Sequence, residues 1–249
     1  MAVFELKKKQ RGAVLGWSWF FIRPAMYIFC FWFALRIGLR AGGVEDGAPP
    51  YILWLSAGII PWFFMQEMLG TGVNVLKRYP YLVNKIKFPL SGISTLFTTA
   101  TLIVQLMLQA AMLLVYALCG MSFDVYLLQL PVLLAMMFLF WDIFSIMLSQ
   151  LSAISKDVAN LMKAFSTPFF WLSGVIFEVK SIPIPWVQTI LNYNPITFFV
   201  TAFRGAVYDK TWFWSDMHSL VGFAIVFAVT LVVMLLVYRR FNEEVADVL

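Results

Sequence analysis

Charge is what this sequence has least of: only 12% of its 249 residues are Asp, Glu, Lys or Arg, against 62% that are hydrophobic. With so little polar surface to spend on so much apolar mass, and a mean hydropathy of +0.85, a soluble globule is excluded and an integral membrane protein is indicated. Histidine and cysteine are scarcer still. One His (His218, beside Asp216) and two Cys (Cys30 and Cys119, both inside apolar runs) offer no metal-ligand cluster, no disulfide framework and no nucleophile–base pair. The two cysteines are expected to pack as small hydrophobes. A Gly-x-x-x-x-Gly-Lys-Ser/Thr phosphate loop is missing, so the chain has no standard cradle for ATP. Repeats, low-complexity linkers and long charge blocks are missing too, which leaves one transmembrane domain over residues 1–249. The net charge of +5 is dispersed among loops rather than gathered on a face, so it speaks for topology and not for nucleic acid.

What the chain does have is a series of apolar runs. Lys7, Lys8, Lys9 and Arg11 precede the first run, which is too long for a signal peptide and lacks a small-residue cleavage pattern, so no cleavage is expected. Residues 1–15 set Val3, Phe4, Leu6, Val14 and Leu15 around those charges, as in a helix lying along the membrane surface; a solvated basic tail is the alternative. A crossing helix needs about 17 to 25 apolar residues. Six stretches qualify: 16–39, 51–73, 91–119, 126–152, 161–177 and 219–238. An even number brings the chain back to its starting side. With both termini cytoplasmic, twelve Lys and Arg face the cytoplasm and five (Arg36, Arg40, Lys180, Arg204 and Lys210) lie outside, the bias expected of cytoplasmic loops.

Residues 183–208 are apolar as well. A seventh crossing there would move Arg239 and Arg240 outside and put Asn192, Asn194 and Pro195 at mid-membrane, where a broken helix frees carbonyls with no partner. The expected form is a re-entrant pair of short helices entering from the outer face and turning at Asn192 to Pro195. Asn192, Asn194, Pro195 and Arg204 are then candidates for an outer gate.

Between the second and third spans, Asn74 to Leu90 form a basic island with Lys77, Arg78, Lys85 and Lys87. Pro80 and Pro89 bracket Tyr81, Leu82, Val83, Ile86 and Phe88, a pattern suited to a short amphipathic turn that docks a soluble partner. Ionisable groups inside spans are costly and therefore informative. Arg23 and Glu67 both sit roughly 10 Å deep at ~1.5 Å per residue, where they either pair or leave Arg23 to reach back to lipid phosphates. Asp142, at mid-span beside Trp141, faces a helix interface or a polar path. Gln105 and Gln109, one turn apart, are expected to bond to neighbouring helices.

Four segments then carry a family likeness: Arg11-Gly12-Ala13-Val14-Leu15-Gly16-Trp17, Ala57-Gly58-Ile59-Ile60-Pro61-Trp62-Phe63-Phe64, Asn84-Lys85-Ile86-Lys87-Phe88-Pro89, and Leu191-Asn192-Tyr193-Asn194-Pro195 followed by Phe203-Arg204. Over almost its whole length the chain resembles the membrane subunit of type 2 ABC exporters of teichoic acids, O-antigens and capsular polysaccharides. The resemblance implies an all-α membrane protein of six transmembrane helices, an N-terminal amphipathic interface helix, and an outer re-entrant hairpin between spans five and six. It further implies a homodimer in the cytoplasmic membrane of a bacterium, working with two nucleotide-binding ATPase subunits to move a lipid-linked glycan outward through the lipid bilayer. ATP and Mg would sit on the partner, with no cofactor on this chain.

In that family the interface helix and first cytoplasmic loop touch the ATPase. The matching positions are Lys77, Arg78, Tyr79, Tyr81, Lys85, Lys87 and Phe88, with Lys156 and Asp157 from the loop after the fourth span. This chain departs from the family where it reads Arg23-Pro24 in place of Asn-Pro, and Ser155-Lys156-Asp157 where many relatives carry Arg-Asp. The first span holds nine aromatics between Trp17 and Phe33, joined by Trp54, Trp62, Phe63, Phe64 and Phe169 to Trp171. Aromatic faces stack on sugar rings without fixed hydrogen bonds, so Trp17, Phe20, Tyr27, Phe31, Trp62, Phe63 and Trp171 are candidates for a translocation path; an interfacial belt and lipid packing are the alternative. An exporter of drugs or lipids, an ATP-independent flippase and a membrane-embedded enzyme remain the rival readings.

Overall fold

The computed structural model describes Glu5 and residues 15–38, 50–79 and 89–248, with side chains as far as Phe241. The amphipathic segment 1–15, apart from Glu5 and Leu15, and the island residues Tyr81, Lys85, Lys87 and Phe88 lie outside the described residues. All regular elements among the described residues are helical.

Helix α1, Trp19–Trp32, follows a 3-10 turn at Gly16–Ser18 and continues into a π turn at Phe33–Gly38. Only Phe20 and Pro24 of α1 are buried. Helix α2, Tyr51–Gly70, is the opposite case: it is apolar all round, and Leu55, Ile59, Trp62, Met65 and Met68 have no more than traces of exposed surface. A helix of that kind belongs at the centre of a bundle, and α2 packs on α1 and on four helices that follow it in the chain.

A 3-10 turn at Gly72–Asn74 and the single turn α3, Val75–Arg78, lead away from α2. Helix α4 is Leu90–Leu118, and α5 is Leu130–Ile154 after a 3-10 turn at Val125–Gln129. Small hydroxyls stitch these elements together. Ser94 and Ser149 meet at 3.2 Å, Ser145 Oγ donates to the Gly72 carbonyl at 3.1 Å, and Ser152 Oγ donates to Asn74 Oδ1 at 3.1 Å. Such contacts suit a membrane, where close backbone approach and interhelical hydrogen bonds replace the hydrophobic drive between helices. Gly72 permits the approach, since a Cβ there would lie 3.2 Å from Ser145 Oγ.

Helix α6 runs Lys156–Leu172, five residues earlier at each end than the apolar run 161–177 implies. The cause is local. Ser155 Oγ caps the helix by accepting from the Asp157 N–H at 3.3 Å, so the polar turns carrying Lys156, Asp157, Asn160 and Lys163 are helical too. At the other end Gly174, at φ 69°, turns the chain aside, and a Cβ there would come within 2.6 Å of Val179 Cγ2. Two short helices follow, α7 at Pro185–Asn192 and α8 at Pro195–Arg204, then α9 at Met217–Val248. Asp216 opens α9 by accepting from the Ser219 N–H and hydroxyl, and leaves His218 exposed beside it. Helix α9 outruns its expected end at residue 238, because the charged residues beyond Tyr238 continue the helix without being apolar.

Five stretches among the described residues are long and apolar enough to cross a membrane: Gly16–Gly38, Tyr51–Arg78, Leu90–Leu118, Val125–Ile154 and Met217–Phe241. Two expectations about buried residues fail. Cys30 is exposed on α1 and Cys119 is exposed just past the end of α4, rather than packed inside. Gln105 and Gln109 are buried at 1% and 4% exposure, yet neither amide finds a partner among the described residues.

Candidate functional site

The bundle has two differently built ends, at opposite termini of α2. At one end α3 and the start of α6 meet. Lys77, Arg78, Lys156 and Lys163 surround a groove of about 590 Å³ floored by Gly70, Thr71 and Asn74. Lys77 and Arg78 come from the last turn before the basic island, whereas Lys156 and Lys163 come from α6, so the fold joins two loops that are far apart in sequence. Asp157 is exposed in the first turn of α6, where its negative charge suits the helix N-terminus. Tyr79 turns the other way and donates its hydroxyl to the Glu5 carboxylate. Burial first, and then that carboxylate bond, push the Tyr79 phenol well above its ordinary range.

At the hairpin end the chain turns between α7 and α8. Asn194 Oδ1 accepts from the Ile196 N–H at 2.9 Å while its Nδ2 donates to Ser173 Oγ at 2.8 Å, and Pro195 begins α8 with its ring already at helical φ. Asn192 lies where α7 meets α9; its carbonyl would be 3.0 Å from a Cβ at Gly222. Arg204 closes α8 and is 3% exposed. Its guanidinium donates to the carbonyls of Gly174, at 2.7 Å, and Val175, with longer contacts to Phe177 and Trp54 at 3.4 Å. The same group lies 3.6 Å from the centre of the Trp54 ring. A buried guanidinium is tolerated when its donors are satisfied, and here one side chain ties α8, α2 and the Ser173–Phe177 turn together. Gly58 makes the room: a Cβ there would stand 2.3 Å from Arg204 Nη2.

Between the ends, the seven path candidates divide. Tyr27 packs on Phe31, Phe63 and Phe170 with centroids 4.9, 5.4 and 5.8 Å away. Phe31 adds Phe170 and Trp171 at 5.1 and 6.2 Å, and Trp62 adds Phe170 at 5.4 Å. Phe170 is therefore the hub of a cluster spanning α1, α2 and α6, a role its position in a run of three aromatics could not reveal. Trp62 is fully buried and acts as core, whereas Trp171 is half exposed. Trp17 and Phe20 stand apart, edge to face at 5.7 Å, with Phe20 resting on Ala100 of α4.

The charges inside the helices also separate. Asp142 of α5 accepts from Thr95 Oγ1 of α4 at 2.9 Å, which places it at a helix interface. Arg23 lies over the Trp19 ring at 5.7 Å, and it lines, together with Glu67, a cavity of about 690 Å³ among α1, α2 and α4.

Residues 1–208 match the family model described as ABC-2 type transporter. Over 244 residues the chain is 20% identical to the O-antigen export system permease protein RfbA of Myxococcus xanthus, covering 98% of this chain and 91% of that protein.

Proposed function

The chain belongs to the ABC-2 type transporter family, and we propose that it is the permease of an exporter that moves a lipid-linked polysaccharide, of the O-antigen or teichoic acid class, across the cytoplasmic membrane. The observation that carries the substrate class is the nearly end-to-end likeness to an O-antigen export permease. ATP would be hydrolysed with Mg on a separate nucleotide-binding subunit, since the sequence contains no phosphate loop. Two copies of the chain and two such subunits make up the proposed assembly.

In this reading the basic end faces the cytoplasm, and the groove around Lys77, Arg78, Lys156 and Lys163 receives the ATPase. Helix α6 supplies the sixth crossing. Its 17 residues span about 25 Å at ~1.5 Å per residue, close to the roughly 30 Å hydrocarbon core. The 8 residues of α7 and 10 of α8 reach only about 12 and 15 Å, which supports a re-entrant hairpin over a seventh span. The Tyr27–Phe31–Phe63–Phe170–Trp171 cluster provides faces on which successive sugar rings stack as the polymer slides.

The test is ATP hydrolysis by the purified complex in lipid, with and without a lipid-linked glycan. Glycan-dependent turnover is expected. A chain that binds no ATPase and scrambles lipids unaided would overturn the reading in favour of a flippase.

A further inference from the structure

The cavity among α1, α2 and α4 shares Arg78 and Phe63 with the export reading, which leaves the rest of its lining without a role. Its charged residues gather toward the basic end: Arg78, Glu5, Arg23 and Glu67. Its walls farther along α4 are mostly apolar, from Phe97 through Val104 to Leu108 with Thr101 and Gln105 among them, and Phe20 and Phe64 stand opposite. Phe97 to Leu108 covers about 16 Å of helix at ~1.5 Å per residue. A charged mouth leading to an apolar trench of that length matches an amphiphile with a headgroup and a chain.

A second observation points to a ligand independently. Gln105, 1% exposed, lines this cavity with both amide atoms unpartnered among the described residues. A buried amide left without hydrogen bonds is costly, and an ester carbonyl or glycerol oxygen at that depth would satisfy it.

We propose that the cavity holds a resident membrane phospholipid with a zwitterionic headgroup. Arg23 takes the phosphate, because guanidinium matches phosphate oxygens and basic pockets between membrane helices hold lipid heads. The negative charge of Glu67 and of Glu5, which keeps its bond from Tyr79, favours a head that carries a cation beside its phosphate, which selects phosphatidylethanolamine over phosphatidylglycerol. Phe63 stands between this site and the aromatic cluster, lining the cavity while packing on Tyr27. Occupancy by lipid thereby stiffens one wall of the cluster. The inference holds whatever substrate the permease carries.

The experiment is native mass spectrometry of lipids retained by the permease–ATPase complex, purified in mild detergent from membranes containing both phospholipids. Retention of phosphatidylethanolamine several-fold over phosphatidylglycerol is expected. Loss of one charge-assisted contact corresponds to about a tenfold weakening, so Arg23→Gln should lose most of the bound lipid and Arg23→Lys should recover part of it. Melting temperatures in lipid-free detergent separate loss of the site from loss of the fold. Gln105→Leu, which leaves the charged mouth intact, should reduce retention less than Arg23→Gln does. Equal retention of the two lipids, or unchanged retention in Arg23→Gln, overturns the proposal. So does displacement of the phospholipid by an equal concentration of polyprenyl phosphate, which would assign the cavity to a lipid-carrier substrate.

Discussion

At the hairpin end, Arg204 is almost completely buried and bonded to carbonyls, and Lys210 lies 2.5 Å from Asp124. At the basic end, Lys77, Arg78, Lys156 and Lys163 stand around a groove, the last three of them exposed. Both ends carry cations, but only one consumes them internally. A guanidinium whose donors are occupied by its own backbone has become structure, while cations held side by side at a groove repel one another until something anionic arrives. The difference separates a cation used as structure from cations presented at a surface more clearly than burial alone does.

The sharpest way to break the contrast is at Arg204. Replacing it with Met leaves the Gly174 and Val175 carbonyls unpaired, at about 1–3 kcal/mol each, and a lower melting temperature in detergent is expected. Gly58→Ala should cost about 1–3 kcal/mol by pressing a methyl into the same guanidinium. If either variant melts like the native protein, Arg204 does not hold α8, α2 and the Ser173–Phe177 turn together.

Charge reversal at the basic end should act on assembly instead of folding. Lys77→Glu combined with Lys156→Glu is expected to weaken ATPase association at least tenfold, or about 1.4 kcal/mol, with the melting temperature of the isolated chain little changed. A large drop in melting temperature would mean that these lysines, too, are structural. Next in size is Asn194→Ala, which removes a helix cap and should cost about 1 kcal/mol, with Asn194→Asp keeping the cap. The smallest effect belongs to Lys210. Its pKa is raised, chiefly by the bond to Asp124, so the contribution of the pair is complete at neutral pH. That contribution is lost only as strongly alkaline pH rises through the raised value. Asp124→Asn should remove this alkaline dependence and change little at neutral pH.

Much of the basic end was legible because basic residues near span ends are a local signal: Lys77, Arg78 and Lys156 could each be marked without knowing their neighbours. Their meeting around one groove could not, since α3 and α6 are brought together by packing against α5 and the turn before α3. The hairpin turn was likewise readable at Asn194-Pro195, where the capping residue and the proline stand next to each other. Arg204 could be singled out as a charge in an apolar run, but its partners are 27, 29, 30 and 150 residues away, and nothing in the run indicates them. Trp62 looked like a path residue by type and proved to be core by position. The start of α6 was missed for a different reason. Its first turns are polar, and hydropathy follows the apolar run, whereas the helix follows the Ser155 cap.

The sequence by itself determined the solvent and most of the elements, because apolar length, proline and caps are properties of short stretches. Tertiary structure decided the work of individual side chains: whether a cation is bonded or presented, whether an aromatic is hub or wall, and which amides are left facing a cavity. Those outcomes depend on what a buried α2 brings to within a few ångströms, and no local pattern encodes that proximity.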